Sequence, residues 1–356
     1  MTPLARVLTE RVAVEGPMTL ADYMAACLLH TEHGYYATRD PLGTTGDFVT
    51  APEVSQMFGE LLGLALAQAW ADQGAPARIA LAELGPGRGT LMADILRATA
   101  RVPGFHAAAS VHLVEASRPL RARQADTLSA HAPAWHHDVH TLPGDVPLFV
   151  VANEFFDALP IRQFQRVGDA WAERMVGPDP EGGLTLGLGA AAPRDELAHR
   201  LSDTAEGDVV ETCAPATAAV SVLGDRIAAQ GGAALLIDYG DWRSLGDTFQ
   251  AVAGHETVNP FAAPGEADLT AHVDFEALAE AARPAVPSRL TTQGVFLERL
   301  GITARAQALA RGLSGEALRQ HVAAHRRLTH PDEMGTVFKV LGLRPEGAAA
   351  IPGLSE

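Results

Sequence analysis

Cysteine is scarce in this sequence, which has only Cys27 and Cys213 among its 356 residues. Two distant thiols exclude a disulfide-stapled scaffold and a structural zinc cluster built on thiolates. The histidines at positions 136, 137 and 140 lack the spacing of a metal site, so we expect no bound metal. The abundance of Ala, Gly, Pro and Arg suggests a GC-rich bacterial genome. We therefore expect a reducing compartment, the bacterial cytoplasm.

Long apolar runs are also missing. No stretch approaches the roughly 20 apolar residues that a membrane-spanning helix needs. Residues 1–16 carry Glu10 and Glu15 and lack the apolar core of a signal or transit peptide. We expect neither membrane insertion nor a targeting peptide.

Lysine is almost absent, with Lys339 as the single lysine. The formal net charge of the chain is -16. An acidic surface repels phosphate backbones, so we expect no nucleic-acid partner and favour a basic protein or peptide. Hydrophobic residues make up 47% and charged residues 20%, as in an ordinary globular protein with a sizeable core.

The motifs of two large enzyme classes are absent, because the sequence has neither a G-K-[ST] phosphate loop nor a G-x-S-x-G elbow. Short apolar segments instead alternate with helical patterns, which predicts an α/β fold with a doubly wound parallel sheet. The predicted core strands are Ala80–Ala82, Val111–Val114, Leu148–Ala152, Ala233–Ile237 and Val337–Leu343.

We divide the chain into four regions: a helical N-terminal region (1–75), the first half of the core (76–160), a β-rich insertion before the fifth strand (161–215), and the second half of the core (216–356). The insertion is predicted from strand alternation around Gly168-Asp169 and Gly182-Gly183, which is typical of hairpins. In the first region, Thr50 and Glu53 match a capping box, which predicts a helix running to about Ala71.

A glycine turn follows the first core strand, where helix N-termini in such sheets face ligands. Gly85, Gly87 and Gly89 allow positive φ and a close ligand approach, and Glu83 lies just before them. The pattern is G-x-G-x-G, and Pro86 removes one N–H, so the turn offers a poor cradle for a pyrophosphate. S-adenosylmethionine has no phosphate and fits better than a dinucleotide.

Two acids further along the chain suit an adenosine cofactor. Glu115 ends the second strand and could accept the ribose hydroxyl hydrogens, although it lies later than the usual dinucleotide spacing. Asp138 follows a third candidate strand and could accept from the adenine amino group. The alternative is that the turn is only a tight turn and the acids are structural.

A carboxylate pair follows the predicted strand Leu148–Ala152. Glu154 and Asp157 are three residues apart, so one turn of helix would place them on one face. We expect Asn153, directly before them, to contact the cofactor, as we expect of Glu83 beside the glycine turn. Two carboxylates could orient a guanidinium nucleophile by bidentate hydrogen bonds. An ordinary helix start with acids near its N-terminus is the alternative.

These segments together resemble the MidA family of S-adenosylmethionine-dependent methyltransferases over nearly the whole chain. The resemblance is carried by the blocks His33–Tyr36, Gly46–Ser55, Glu83–Thr90, Asn153–Pro160, Ile237–Gly240 and Gly265–Phe275. It implies a class I, Rossmann-like methyltransferase core and dimethylation of arginine on a subunit of respiratory complex I. The family's glycine turn falls on Gly85, Gly87 and Gly89, its strand-end acid on Glu115, and its Asn-Glu-Phe-Phe-Asp block on 153–157.

Two of these blocks fit a lid or a substrate contact. Gly46, Asp47 and Phe48, with Thr50 and Glu53 behind them, could cover the cofactor and exclude water. His272 and Asp274 follow the predicted fifth strand, on the expected active edge, although isolated polar loop residues often only cap or bridge.

We therefore predict a protein arginine methyltransferase that uses S-adenosylmethionine, with Glu154 and Asp157 as catalytic residues. Two alternatives stay open: an assembly chaperone that binds the cofactor without turnover, and a nicotinamide-dependent oxidoreductase. The sequence names neither the target arginine nor the number of methyl groups, and it leaves a homodimer open.

Overall fold

The computed structural model describes residues 1–38 and 50–355. Its helices are α1 (Pro3–Glu15), α2 (Leu20–Leu29), α3 (Tyr35–Thr38), α4 (Ala51–Val54), α5 (Gln56–Asp72), α6 (Thr90–Thr99), α7 (Phe105–Ala108), α8 (Arg118–Thr127), α9 (Ala214–Gln230), α10 (Phe275–Ala281), α11 (Gln293–Arg299), α12 (Ile302–Ala310) and α13 (Gly315–Thr329). No helix within the described ranges is both long and apolar enough to cross a bilayer.

The strands fall into three sheets and are named in chain order. They are β1 (Met18–Thr19), β2 (Ile79–Leu84), β3 (Ala109–Val114), β4 (Ala134–His136), β5 (Leu148–Asn153), β6 (Arg162–Val167), β7 (Ala170–Pro178), β8 (Leu184–Ala192), β9 (Val209–Thr212), β10 (Gly232–Asp241), β11 (Gln250–Ala253), β12 (Glu256–Val258), β13 (Asp268–Thr270), β14 (Val273–Asp274), β15 (Val286–Pro287), β16 (Thr291–Thr292) and β17 (Phe338–Arg344).

The central sheet has the order β15-β17-β10-β5-β2-β3-β4. Strands β4, β3, β2, β5 and β10 are parallel, and β17 runs antiparallel beside β10. From β2 the chain builds outward to β4 and then returns to β5 on the other side of β2. The order therefore reverses between β2 and β5, which opens a crevice at their carboxyl ends. The predicted doubly wound α/β fold is confirmed.

Burial on both faces explains why β2 and β5 have no polar–apolar alternation. Every residue of both strands is buried. Helices α5 and α6 cover one face, where Leu62 and Ile95 join the same apolar cluster as Phe149. Helices α9 and α10 cover the other, where Leu223 and Leu278 pack in the cluster that contains Val150 and Ala152. Continuous apolar runs are the expected signature of such a parallel sheet.

The segment after β5 forms a second, antiparallel sheet with the order β1-β7-β6-β9 and with β8 at the edge of β7. Strands β6 and β7 are joined by the two residues Gly168-Asp169, as predicted for a hairpin. The apolar faces of α1 and α2 pack against this sheet, with Leu8 and Met24 in one cluster with Val176 and Leu184. The boundaries of our four regions stay a prediction.

The capping box predicted at Thr50 is wrong. Thr50 makes no side-chain cap bond, and the short helix α4 stops at Ser55, whose φ of -163° is extended. The long helix α5 starts instead at Gln56, where the Ser55 hydroxyl accepts from the Met57 N–H at 3.3 Å. Glu53 is unavailable for capping because it accepts the Thr90 hydroxyl at 2.5 Å, at the start of α6.

Candidate active site

A cavity of about 440 Å³ lies at the carboxyl ends of the parallel strands, where the strand order reverses. Among the described residues its walls come from the ends of β2, β3 and β5, the glycine turn, the 137–140 segment, and one face each of α2 and α9. Of the cofactor residues predicted from the sequence, Glu83, Gly85, Gly87, Glu115, Asp138 and Asn153 line it. These residues are up to 70 positions apart, and the sheet edge brings them together.

The glycine turn needs its glycines for backbone conformation and for space. Gly85, Gly87 and Gly89 have φ of 62°, 53° and 82°, in the left-handed region. A Cβ on Gly85 would lie 2.9 Å from the ring of Phe155, which also lines the cavity. Gly89 is absent from the cavity wall and is the N-cap residue of α6. Its predicted role as a direct cofactor contact stays a prediction.

Two polar groups on the cavity wall have buried oxygens without a hydrogen-bond partner among the described residues. They are Oε2 of Glu83 and Oδ1 of Asn153. Burial raises the pKa of Glu83 to about 8. Leaving such groups unpaired is costly, which indicates that a ligand with hydrogen-bond donors satisfies them. A cationic donor such as an ammonium group makes a stronger hydrogen bond to a carboxylate than a neutral donor does, which suits the Glu83 oxygen.

Glu115 is held in place by groups that the sequence analysis did not single out. Its carboxylate accepts from the Ser117 N–H at 2.7 Å and from Gln124 Nε2 at 3.1 Å. Gln124 is fully buried and also donates to the Gly87 carbonyl at 2.8 Å, while its own oxygen accepts from Trp135 Nε1. Burial raises the pKa of Glu115. Gln124 thus ties the glycine turn to Glu115, and nothing in its helical sequence context signals this.

Asp138 lines the cavity, but its side chain already accepts a backbone hydrogen bond. Its side chain accepts from the His140 N–H at 2.8 Å and caps the short 3₁₀ turn that begins at Val139. The Oδ1 atom of Asp138 is therefore already hydrogen-bonded to the backbone. Only its Oδ2 atom is left to accept from an adenine amino group.

Glu154 lies on the cavity wall, but on a turn and not on the helix that we predicted. Its φ of 53° is left-handed, which is uncommon for a residue with a side chain. The carboxylate accepts from the Ala51 N–H at 3.2 Å and from Asn153 Nδ2 at 3.1 Å. Burial, and then the charge of Asp157, raise the pKa of Glu154 to about 7.

Asp157 does not line the cavity, so the predicted arrangement of the two acids on one helical face is wrong. Its Oδ2 accepts the Tyr239 hydroxyl at 2.7 Å, and its Oδ1 is buried without a partner among the described residues. Burial raises the pKa of Asp157 to about 6. Residues 154–157 form an irregular turn and not a helix, so the helical spacing of the two acids does not apply. Its catalytic role stays a prediction.

The turn is held by Asp238, at the end of β10, which the sequence analysis placed in a matching block but gave no role. Its Oδ2 accepts from three successive N–H groups, those of Phe155, Phe156 and Asp157, at 3.2, 2.9 and 3.3 Å. Burial, and then the charges of Asp157 and Glu154, raise its pKa well above the usual range.

Tyr36 is a further cavity residue without a predicted role. It lines the wall, and its hydroxyl donates to Asp268 Oδ1 at 2.9 Å. The carbonyl of Tyr36 accepts the Ser117 hydroxyl at 3.1 Å, beside the Glu115 loop. Tyr36 and Asp268 belong to the first and last blocks that carried the family resemblance, and that resemblance was the available signal.

The residues predicted for a lid or a substrate contact separate into three groups. Thr50 and Glu53 line the cavity. Gly46, Asp47 and Phe48 lie outside the described residues, so the lid stays a prediction.

His272 and Asp274 form the third group and line a different cavity, of about 480 Å³, between the second sheet and α10. Asp274 caps α10 by accepting from the Ala277 N–H at 2.9 Å, and it also accepts from the Ser244 N–H. Strand β14, which contains Asp274, pairs with Gly240 and Asp241 at the end of β10, and neither His272 nor Asp274 lines the cofactor cavity.

Within the two described ranges, no group of three or more His, Cys, Asp or Glu side chains could hold a metal ion.

Comparisons with known proteins show the family to which the chain belongs. Residues 61–293 match Methyltransf_28, a family described as S-adenosyl-L-methionine-dependent methyltransferases. The mitochondrial protein arginine methyltransferases NDUFAF7 of Bos taurus and Homo sapiens are each 36% identical over 371 residues, covering 97% of this chain and 84% of theirs. The crystal structure of a COG1565 superfamily member from Burkholderia thailandensis, bound to S-adenosyl-homocysteine, is 31% identical with a TM-score of 0.83, covering 98% of this chain and 94% of that one.

Proposed function

The chain belongs to the MidA-type Methyltransf_28 family and is an S-adenosyl-L-methionine-dependent methyltransferase, and from this premise we propose that it methylates arginine side chains of a protein substrate. The single observation that supports this acceptor is Glu154, a half-buried carboxylate on the wall of the cofactor cavity. Arginine methyltransferases are among the relatives that cover nearly the whole chain. S-adenosylmethionine, and not a nicotinamide, is the cofactor of this family.

The residues present fit the cofactor. The unpaired Glu83 oxygen matches an ammonium group, and the missing side chain of Gly85 lets the Phe155 ring pack against the glycine turn and form part of the cavity wall. Glu115, fixed by Gln124, matches a pair of ribose hydroxyls. When bound, S-adenosylmethionine supplies a methyl group already activated for transfer. The chain therefore needs to hold the acceptor nitrogen in line with that methyl group and to exclude water.

The electrostatics around Glu154 favour a cationic acceptor. Glu154 is half-buried beside the buried Asp157 and Asp238, and desolvation raises the pKa of each, with the neighbouring acids adding to the rise for Glu154 and Asp238. A guanidinium carries its charge at every physiological pH and binds carboxylates in a bidentate way. Its arrival would return Glu154 to the ionised form and orient one nitrogen toward the cofactor. Glu154 could then accept the proton that this nitrogen loses.

The protein substrate that we propose is a subunit of respiratory complex I, from the family resemblance. We propose a bacterial cytoplasmic location from the amino-acid composition and the scarcity of cysteine, whereas the NDUFAF7 relatives are named as mitochondrial. The homodimer stays a prediction. An assembly chaperone without turnover is the competing function, motivated by the large second sheet and the acidic surface.

The test uses methyl-tritiated S-adenosylmethionine and an extract of source cells in which the gene has been deleted. The purified protein should place label in methylarginine, recovered after acid hydrolysis of the extract proteins. We expect Glu154→Gln to lower the rate at least about 100-fold, because the acceptor loses its orienting charge. The Kd of Glu154→Gln for S-adenosylhomocysteine, measured by calorimetry, should stay within about threefold of the wild-type Kd, since Glu83 and Glu115 are unchanged.

Label in lysine or in small molecules, with none in arginine, would refute the proposed substrate class. Full transfer by Glu154→Gln would refute the role of Glu154. Complex I subunits with the same methylation in the deletion strain as in the parent strain, measured by mass spectrometry, would favour the chaperone.

A further inference from the structure

Asp238 accepts more backbone hydrogen bonds than any ordinary helix cap provides. One of its oxygens takes three successive N–H groups from residues 155–157, and the other takes the Tyr239 N–H at 3.0 Å. The side chain is fully buried at the end of β10. It does not line the cofactor cavity, so it does not contact the reacting groups directly.

The conformation of Glu154 depends on the turn that Asp238 holds. Glu154 donates its N–H to the Ile237 carbonyl at 2.9 Å and has a left-handed φ of 53°. Side chains disfavour this region, and such strain persists only where the surroundings impose it. The bonds from Ile237 and Asp238 supply that constraint on both sides of the Glu154 Cα. They thereby set the direction of its side chain into the cavity.

The same hydrogen bonds fix Phe155 against the glycine turn. The Phe155 ring packs where a Gly85 Cβ would lie, at 2.9 Å, and the ring forms part of the cavity wall. The Asp238 carboxylate therefore sets both the position of Glu154 and one wall of the cofactor site.

We propose that Asp238 is a positioning residue for methyl transfer, which acts by holding the 154–157 turn so that the Glu154 carboxylate faces the acceptor. The inference rests on the proposed function of Glu154. A competing explanation is that Asp238 only stabilises the fold. If Asp238 acts through Glu154, substituting Asp238 should not lower the transfer rate further once Glu154 has been replaced by Gln. If Asp238 only stabilises the fold, the substitution should lower the rate in both backgrounds.

The experiment compares Asp238→Asn, Glu154→Gln and the double variant in the deletion-strain extract assay. Asn keeps the size of Asp but turns an NH₂ group toward either the turn N–H groups or the Tyr239 N–H, so part of the network must break. The control is Asp241→Asn, which removes an exposed carboxylate three residues along the same strand. Rates are measured at a fixed extract concentration over a range of S-adenosylmethionine concentrations.

We expect Asp238→Asn to lower the maximal transfer rate about 10- to 100-fold, because small misplacements of a catalytic group have effects of this size. The KM for S-adenosylmethionine and the Kd for S-adenosylhomocysteine should rise by at most about fivefold, less than the maximal rate falls, since Glu83 and Glu115 lie on other strands and only the Phe155 wall of the cavity depends on Asp238. The double variant should be no more than about twofold slower than Glu154→Gln, because residues that act as a unit are not additive. Asp241→Asn should match wild type.

The proposal is overturned if Asp238→Asn transfers at the wild-type rate while Glu154→Gln is slow. It is also overturned if the double variant multiplies the two losses, since that marks a general structural role. Wild-type transfer by Glu154→Gln refutes instead the function on which the proposal rests. If Asp238→Asn does not give a cooperative melting transition, Asp238→Ser, which keeps one short acceptor, is measured by the same criteria.

Discussion

Gly85→Ala is the smallest change that tests the cofactor site. The added methyl group meets two obstacles at once. The backbone φ of 62° is left-handed, and the new Cβ would lie 2.9 Å from Cδ2 of Phe155. Contacts below 3.0 Å are not tolerated, so one group must move. Phe155 is the one that gives way, because Gly85 is anchored by its N–H to the Val114 carbonyl at 3.0 Å.

The magnitude can be divided into two parts. A left-handed alanine costs about 1–2 kcal/mol, and an extra methyl group in a packed site typically costs about 1–3 kcal/mol more. The first part should appear wherever a left-handed glycine is replaced. The second should appear only at Gly85, because it comes from the Phe155 ring.

Gly168→Ala is the matched control for the backbone part. Gly168 has a φ of 59° in the hairpin turn between β6 and β7, and nothing lies within 4 Å of a Cβ there. Gly85→Ala should therefore lose about 1–3 kcal/mol more unfolding free energy than Gly168→Ala, measured by urea denaturation without cofactor.

Binding of S-adenosylhomocysteine, measured by calorimetry, separates the site from the fold. Gly85→Ala should weaken it at least about 10-fold, equivalent to about 1.4 kcal/mol, because the displaced ring moves in the cavity wall. Gly168→Ala should bind as wild type does. Phe155→Ala combined with Gly85→Ala should bind more tightly than Gly85→Ala alone. Wild-type affinity in Gly85→Ala would refute the argument that this contact shapes the cofactor site.

Two further predictions concern pH and the start of α5. The raised pKa of Glu83, about 8, and of Glu154, about 7, mean that the folded protein holds these protons more tightly than the unfolded chain. Their contribution to stability is complete below about pH 4.5 and is lost as pH rises to about 8, so the apo protein should melt at a lower temperature at pH 8 than at pH 6. Glu83→Gln should reduce this dependence in calorimetric melts, and an unchanged slope would show that burial does not perturb Glu83. Ser55→Ala should cost about 1 kcal/mol in urea unfolding because it removes the α5 cap, whereas Thr50→Ala should cost less, since Thr50 makes no cap bond. Equal losses would contradict the helix start at Gln56.

Local signals predicted the parts of this protein that depend on nearby residues. The apolar runs at Leu148–Ala152 and Ala233–Ile237 predicted strands, because a strand buried on both faces has no polar positions. Gly85 and Gly87 predicted the cofactor turn, since left-handed φ favours glycine wherever it occurs. Glu115 was predicted as a ligand from its place at a strand end, and the structure puts it on the cavity wall.

Tertiary contacts decided the rest, often against the local pattern. Thr50 and Glu53 have the spacing of a capping box, yet Glu53 bonds to Thr90 on another helix. The pattern of Glu154 and Asp157 suits one face of a helix, but Asp238, more than 80 residues away, converts the segment into a turn.

The sequence by itself therefore determined the strands, the glycine turn and the family of this protein. These follow from backbone preferences and burial patterns, which act over a few residues. Only the tertiary structure decided which acids face the cavity and which hold it in place. That choice depends on hydrogen bonds between segments as distant as Tyr36 and Asp268, and no local spacing encodes such a bond.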